Sequence, residues 1–242
     1  MQMSNEDFPD DDAKDPASTT QEVVLTEAER RRKRTIGYLK LWGIETDLSI
    51  LSIPLEATSI LATTAEIIGK AKVFCLLSLK GQGLTLREVF AFADAYEIWG
   101  HVNVAENNYI LDEAAPESDD VQYAWRYEAL NALLWALGHS KHLGFPAEAS
   151  DPAKAVERCM QWILVPSSEA KGVKAGSKAL NSRSDLGKAR SPKEILDAAD
   201  VAFALNAIAL STPVGQPTPA DMHRGVVYER AHGFRWLLNP AQ

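Results

Sequence analysis

From Trp125 to Leu137 the chain reads W-R-Y-E-A-L-N-A-L-L-W-A-L and then meets Gly138. At the angular step of a helix, Trp125, Ala129, Ala132 and Ala136 share one side, and Leu130, Leu133, Leu134 and Leu137 share another. A helix here is apolar nearly all round, which predicts a buried central element. Its alanines allow neighbouring helices to approach closely, while Arg126, Glu128 and Asn131 each need a partner or a path to water.

Helical periodicity and start signals predict the elements on either side. Thr26-Glu27-Ala28-Glu29, Thr63-Thr64-Ala65-Glu66 and Thr85-Leu86-Arg87-Glu88 are capping boxes. They open helices running to about Trp42, to Gly81 and to Gly100. Leu48, Ile50, Leu51, Ile53 and Leu55 lack helical spacing, so Gly43 to Thr58 reads as an extended connection with room for a short strand. A short helix is predicted within 103–114, and the central helix follows, capped by Ser118 or an adjacent Asp. After a loop over 139–150, Asp151-Pro152 starts a helix that stops before Pro166. Ser191-Pro192-Lys193-Glu194 starts one carrying Ile195, Leu196, Ala199 and Phe203, and Thr218-Pro219-Ala220-Asp221 repeats the device for a last helix with Val227, Ala231, Phe234 and Leu238 on one stripe. The expectation is an all-α, single multi-helix domain over 26–242, with about seven or eight helices and no sheet.

Composition changes this picture mainly at the ends and in one loop. The net charge is -8, but residues 1–29 hold nine acids against Lys14 alone, so the remaining acids and bases cancel. Residues 1–25 combine acids, Pro9, Pro16 and a Ser/Thr run with few large apolar residues, which predicts a disordered acidic arm. The neutral body leaves no overall footprint for nucleic acid. The run Arg30 to Arg34 covers more than a full turn rather than one face, so it reads as a solvated helix start balanced by the acidic arm. Residues 166–190 form a long, polar, basic loop whose Lys171, Lys174, Lys178 and Arg183 are the candidate contacts for an acidic partner. Cys75 and Cys159 lie in apolar helical patterns and read as buried free thiols in a reducing compartment. The first residues do not resemble a signal peptide and no apolar run approaches the ~20 residues that span a bilayer, so the expected location is cytoplasmic, with no membrane partner.

Three blocks taken together resemble a known family. W-R-Y-E-A-L-N-A-L-L-W-A-L-G (Trp125 to Gly138), E-I-L-D-A-A-D (Glu194 to Asp200) and V-V-Y-E-R-A-H-G-F-R-W-L-L (Val226 to Leu238), in that order, are similar to the bacterial domain of unknown function 4272. The likeness covers roughly residues 30 to 238 and is concentrated in the three blocks. It implies a mostly helical domain and no established activity. In the family's pattern the helix after the second Asp continues with an Arg and, slightly later, a His or other polar residue and a Trp. Here Ala204, Asn206 and Ala207 stand in those places, so a charged site built there in relatives is reduced in this chain. Some members lie near secreted-toxin genes, which makes an immunity-like role a further implication of the resemblance.

The charged residues of those blocks, Arg126, Glu128, Asp197, Asp200, Glu229 and Arg230, sit on helices otherwise made to be buried and must find partners. As structure, they form a network, Arg126 with Glu229 or Asp200 and Arg230 with Glu128, that fixes how three helices dock. As function, they line a cleft whose carboxylates act as acid and base or bind a cation. The network is preferred, because carboxylates beside matching arginines stay ionised and make poor general acids. Neither His139 and His142, which follow a helix stop, nor His223 and His232 have metal-ligand spacing. Gly69-Lys70 lacks the leading Gly and trailing Ser or Thr of a phosphate loop. Trp125, Trp135, Trp162 and Trp236 read as core residues. No catalytic residue, cofactor or metal is therefore assigned. The leading expectation is a non-catalytic protein-binding module, either toxin-neutralising or an adaptor, with a protein partner and no nucleic acid. The competing one is an enzyme or small-ligand receptor with a carboxylate- and Arg-lined pocket between the 125–137, 195–209 and 226–238 helices.

Overall fold

The capping boxes read from the sequence open the helices they were assigned to. In a computed structural model that describes residues 25–46, 61–164 and 188–240, Thr26, Thr63, Thr85 and Ser191 each accept from the amide three residues on. The Glu at that position returns a bond to the cap's own amide, for example Thr63 N–H to Glu66 Oε2 at 2.7 Å and Ser191 N–H to Glu194 Oε2 at 2.9 Å. The acidic arm before Leu25, the connection from 47 to 60 and the basic loop up to Gly187 lie outside the described residues, and so do Lys171, Lys174, Lys178 and Arg183.

Among the described residues there are nine α-helices and no strand. They are α1 (Glu27–Leu41), α2 (Thr64–Gly81), α3 (Leu86–Ala95), α4 (Val104–Leu111), α5 (Glu117–Ala124), α6 (Arg126–Ala136), α7 (Pro152–Trp162), α8 (Pro192–Ser211) and α9 (Arg224–Leu238). The fold is all-α, and none of the described helices is long and apolar enough to cross a membrane.

Helix α6 is the centre. Every residue from Arg126 to Leu134 is buried, and it packs along α9 and α2 with α7 beside it. The small residues allow this: a Cβ on Gly233 of α9 would lie 2.9 Å from the Ala129 carbonyl and 3.1 Å from the Ala132 Cβ, so α6 and α9 touch almost backbone to backbone. Gly138, at φ +82°, then ends α6 in a Schellman turn, with His139 N–H bonded to Leu134 O at 2.8 Å and Gly138 N–H to Trp135 O at 3.0 Å. Helix α8 packs on α9, and α1 packs on α8. The main core surrounds α2, α6 and the C-terminal half of α9. A second core, with Leu39, Ile44, Leu205, Ile208, Met222 and Val227, joins α1, α8 and the start of α9.

Three local departures have clear causes. The central helix is two segments, α5 and α6, interrupted at Trp125, and Ser118 does not cap the first; Pro116 holds the cap position without a side-chain bond, and Glu117, Asp119 and Asp120 supply negative charge to the first turn. Helix α3 stops at Ala95, and Glu97 takes a left-handed φ of 54°, which drops Ile98 into the core. Thr218 opens no long helix. Its hydroxyl donates to Met222 O, Ala220 and Asp221 both have φ of 54°, and α9 begins only after His223, whose Nδ1 accepts from Val226 N–H at 3.4 Å. The turn seats Met222 in the second core first.

Cys75 of α2 and Cys159 of α7, far apart in sequence, are free, buried and side by side. The hydrogen bond with Cys75, followed by burial, holds the Cys159 thiol well above its usual range, which suits a packing residue rather than a nucleophile.

Candidate functional site

The six charged residues singled out from the sequence divide into two groups. Arg126 Nη1 donates to both carboxylate oxygens of Glu229, with Oε2 at 2.5 Å, and Arg230 Nε donates to Glu128 Oε2 at 3.1 Å. Both pairs tie α6 to α9, and all four side chains are buried, Glu128 completely. Asp200 is not their neighbour. It accepts from the Thr35 hydroxyl at 2.5 Å, with Arg31 Nε 4.0 Å away, and Asp197, one turn earlier, takes Arg34 Nη2 at 2.6 Å and Lys193 at 3.0 Å. These contacts clasp α1 to α8. Arg31 and Arg34 therefore face a helix, not solvent as the charge run suggested, because Arg31, Arg34 and Thr35 share one face of α1 opposite the i, i+3 pair Asp197 and Asp200.

Burial dominates the electrostatics. It raises the Glu229 carboxyl above its usual range against the pull of Arg126, and it raises Asp200 against Thr35 and Arg31. It also lowers the His232 imidazole to about 3, helped by the nearby charges of Arg126, Arg235 and Lys70.

The Arg230–Glu128 pair also shapes the surface. Arg230 Nη1 donates to Gly144 O at 3.0 Å, and Glu128 Oε1 accepts from Ser150 N–H at 2.5 Å, so one buried pair pins both halves of the 139–150 loop. His223 N–H adds a bond to Pro146 O at 2.7 Å. The pinned loop is one wall of a groove of about 580 Å³. Ala198, Val201, Ala202 and Leu205 of α8 form the opposite wall, Val227 and Phe234 of α9 the floor, and Tyr38, Trp42 and Trp135 flank it. Arg190 closes one end of the scaffold: it lies over the Trp135 ring at 4.3 Å and donates to the Trp135, Ser140 and Lys141 carbonyls, capping the end of α6. Although it belongs to the basic stretch, Arg190 is an anchor.

A pocket therefore does lie between α6, α8 and α9, but not with the lining expected. Glu128, Glu229, Arg126 and Asp200 are paired beneath or beside it, and of the six singled-out residues only Asp197 and Arg230 reach it. Both of its carboxylates are committed: Glu194 holds the α8 cap and Arg190, and Asp197 holds Arg34 and Lys193. The lining is mainly apolar and aromatic. Among the described residues no group of three His, Cys, Asp or Glu side chains is placed to hold a metal ion.

The groove itself carried no sequence signal. Val227 and Phe234 read as ordinary core positions of the last helix, and Val201 and Leu205 carry nothing that sets them apart from other apolar positions of α8. Trp42 and Tyr38, at the end of α1, were the nearest thing to a hint, being large aromatics at i, i+4 beyond the charged stretch. Compared with known proteins, residues 31–242 match the model of a family described as Domain of unknown function (DUF4272). No curated protein and no solved structure matches the chain.

Proposed function

Because the chain belongs to the DUF4272 family, a membership that brings no activity with it, we propose from the geometry that it is a non-catalytic protein-binding module whose groove receives an apolar segment of another protein. The observation that carries this is the groove's make-up: an aromatic and aliphatic trough whose rim charges are all spent on ion pairs and caps. General acid–base chemistry needs a carboxyl or imidazole free to exchange a proton with substrate; the rim carboxylates are not free, and the exposed His142 imidazole stands in the lining without a second free group to work beside it. Burying one leucine- or phenylalanine-sized side chain there contributes about 1.5–3 kcal/mol before the entropy cost of association, so an apolar segment with several anchors is the ligand the trough favours. A toxin-neutralising or adaptor protein is a module of this kind, and the two buried free thiols suit a cytoplasmic one.

One observation favours a second reading, a small-ligand receptor. The volume of about 580 Å³ falls within the range typical of small-molecule sites, and Trp42 and Trp135 offer faces for a flat apolar ligand. Affinity capture from the native host separates the two, comparing the wild-type chain with Ala198→Trp, which fills the groove, and Val201→Glu, which charges it. A stoichiometric protein that is retained by wild type and lost from both variants, themselves still folded by circular dichroism, supports the module. A small molecule released from wild type alone supports the receptor. A protein retained equally by all three places the interface elsewhere.

A further inference from the structure

A second, smaller pocket lies on another face of α9, lined by Lys70, Asn103, Glu106, His232, Arg235 and Trp236. Its volume is about 60 Å³, against the ~10–15 Å³ that one water needs by the same measure, so it has room for one compact polyatomic group. The floor is an ion pair: Lys70 Nζ donates to Glu106 Oε1 and Oε2 at 2.5 and 2.6 Å, both side chains being buried. Glu106 Oε2 also accepts from Asn103 N–H at 2.9 Å, and Asn103 Oδ1 accepts from Glu106 N–H at 2.9 Å, closing a capping box at the start of α4.

The hydrogen-bonding capacity left over is almost all of one kind. Lys70 has three N–H donors and spends two on Glu106. The Asn103 amide NH2 has no acceptor among the described residues, because its oxygen is the part used in the cap. Arg235 lies 5.9 Å over the Phe203 ring, with no described carboxylate within ion-pair distance. The His232 ring rests against Phe74, and neither of its nitrogens has a hydrogen-bond partner among the described residues. The single lining carboxylate already accepts from both Lys70 and the α4 cap. Lys70 and Arg235 against Glu106 leave the pocket one positive charge in excess.

We propose that this pocket binds one small oxyanion, such as a phosphate, sulfate or carboxylate group, with Arg235 and the Asn103 amide at the mouth and Lys70 and His232 beneath. Unspent donors and excess positive charge in a concave site are what an oxyanion satisfies, and charge-assisted bonds from Arg and Lys are the strong ones. Burial first, and then the charges of Arg126, Arg235 and Lys70, hold the His232 imidazole neutral, so it adds no third charge to the pocket. Arg235 and Asn103 are exposed, so a larger phosphorylated or carboxylated molecule can place its anionic group here and leave the rest outside.

Inorganic phosphate and, separately, acetate titrated into the full chain test this, by calorimetry and by the NMR signals of the His232 ring. One-site saturation with a shift of those signals is expected. Arg235→Gln should weaken it about tenfold or more, the worth of a charge-assisted bond. Asn103→Asp keeps the α4 cap, puts a negative charge at the mouth and should abolish binding. Arg87→Gln, an exposed arginine on α3, should leave it unchanged. Saturation by phosphate alone assigns a tetrahedral anion, and saturation by acetate alone a carboxylate. No saturation by either up to ~50 mM overturns the proposal. So does full affinity in both pocket variants.

Discussion

The same chemistry, a guanidinium beside a carboxylate, is used in two settings that differ in water. Between α6 and α9, Arg126–Glu229 and Arg230–Glu128 are shut inside the core. Between α1 and α8, Arg34–Asp197 keeps about a third of the arginine side chain and a quarter of the aspartate exposed. In the core each charge has given up its hydration and depends on its partner and the few backbone groups that reach it, so a pair is worth little net but losing half of it is costly. At the rim water compensates, and the pair is worth at most ~1 kcal/mol. The difference teaches what each pair does: the inner ones set how α6 and α9 dock, and Arg34–Asp197 is an exposed clasp on a seam held by apolar contacts and the buried Asp200.

Breaking the inner seam is the severest test. Glu229→Ala leaves Arg126 buried without a partner, and chemical denaturation should show a loss of about 3–5 kcal/mol. Combined with Arg126→Met, most of that loss should return, since a well-packed apolar pair replaces a buried ionic one at little cost. Should the double variant remain as unstable as the single, the pair contributes net stability and the contrast with the rim disappears.

Acid probes the same interior more gently. His232 titrates near 6.5 when unfolded and at about 3 when folded, so below pH 6.5 the unfolded chain binds a proton that the folded one refuses. Stability from this group is complete above that pH and falls as the solution is acidified toward 3. Between pH 7 and pH 5 the loss amounts to about 2 kcal/mol, and His232→Phe should remove that slope from a stability–pH curve. The raised carboxyls of Glu229 and Asp200 work in the opposite sense, since protonation on acidification favours their folded forms.

The smallest effect belongs to the rim. Asp197→Asn should cost under about 1 kcal/mol, and 1 M salt should reduce the difference from wild type further, whereas salt should leave the Glu229→Ala loss unchanged. Equal salt sensitivity at both seams would mean that water reaches the inner pairs.

Much of this architecture is legible in the sequence where the cause is local. Four capping boxes, the Gly138 stop and the all-round apolar surface of α6 depend on residues within a turn or two of one another. Thr218 shows the limit: Asp221 has one methylene fewer than a Glu with which to reach back to the cap amide, and Met222 must enter the core before α9 can start. Of the charged residues, the partners of Arg230 and Glu128 could be named because α6 carries only Arg126 and Glu128, and the adjacent Glu229 and Arg230 of α9 offer the opposite signs. Asp200 could not be placed, since its partners Thr35 and Arg31 lie 165 and 169 positions away, on a helix whose charge run looked solvated. The groove is less legible still. It is the space that four helices and a loop leave between them, and none of them encodes that space alone.

The inner seam also has a consequence in time. Arg126 and Glu229 are 103 residues apart, and Glu128 and Arg230 are 102 apart. On a ribosome α6 is made long before α9, so its two charges and its leucines wait without their partners while about a hundred further residues are synthesised, some ten seconds at ordinary elongation rates. Until Arg224–Leu238 has emerged, the segment destined to be the driest in the protein is also the one with the most reason to be held by a chaperone.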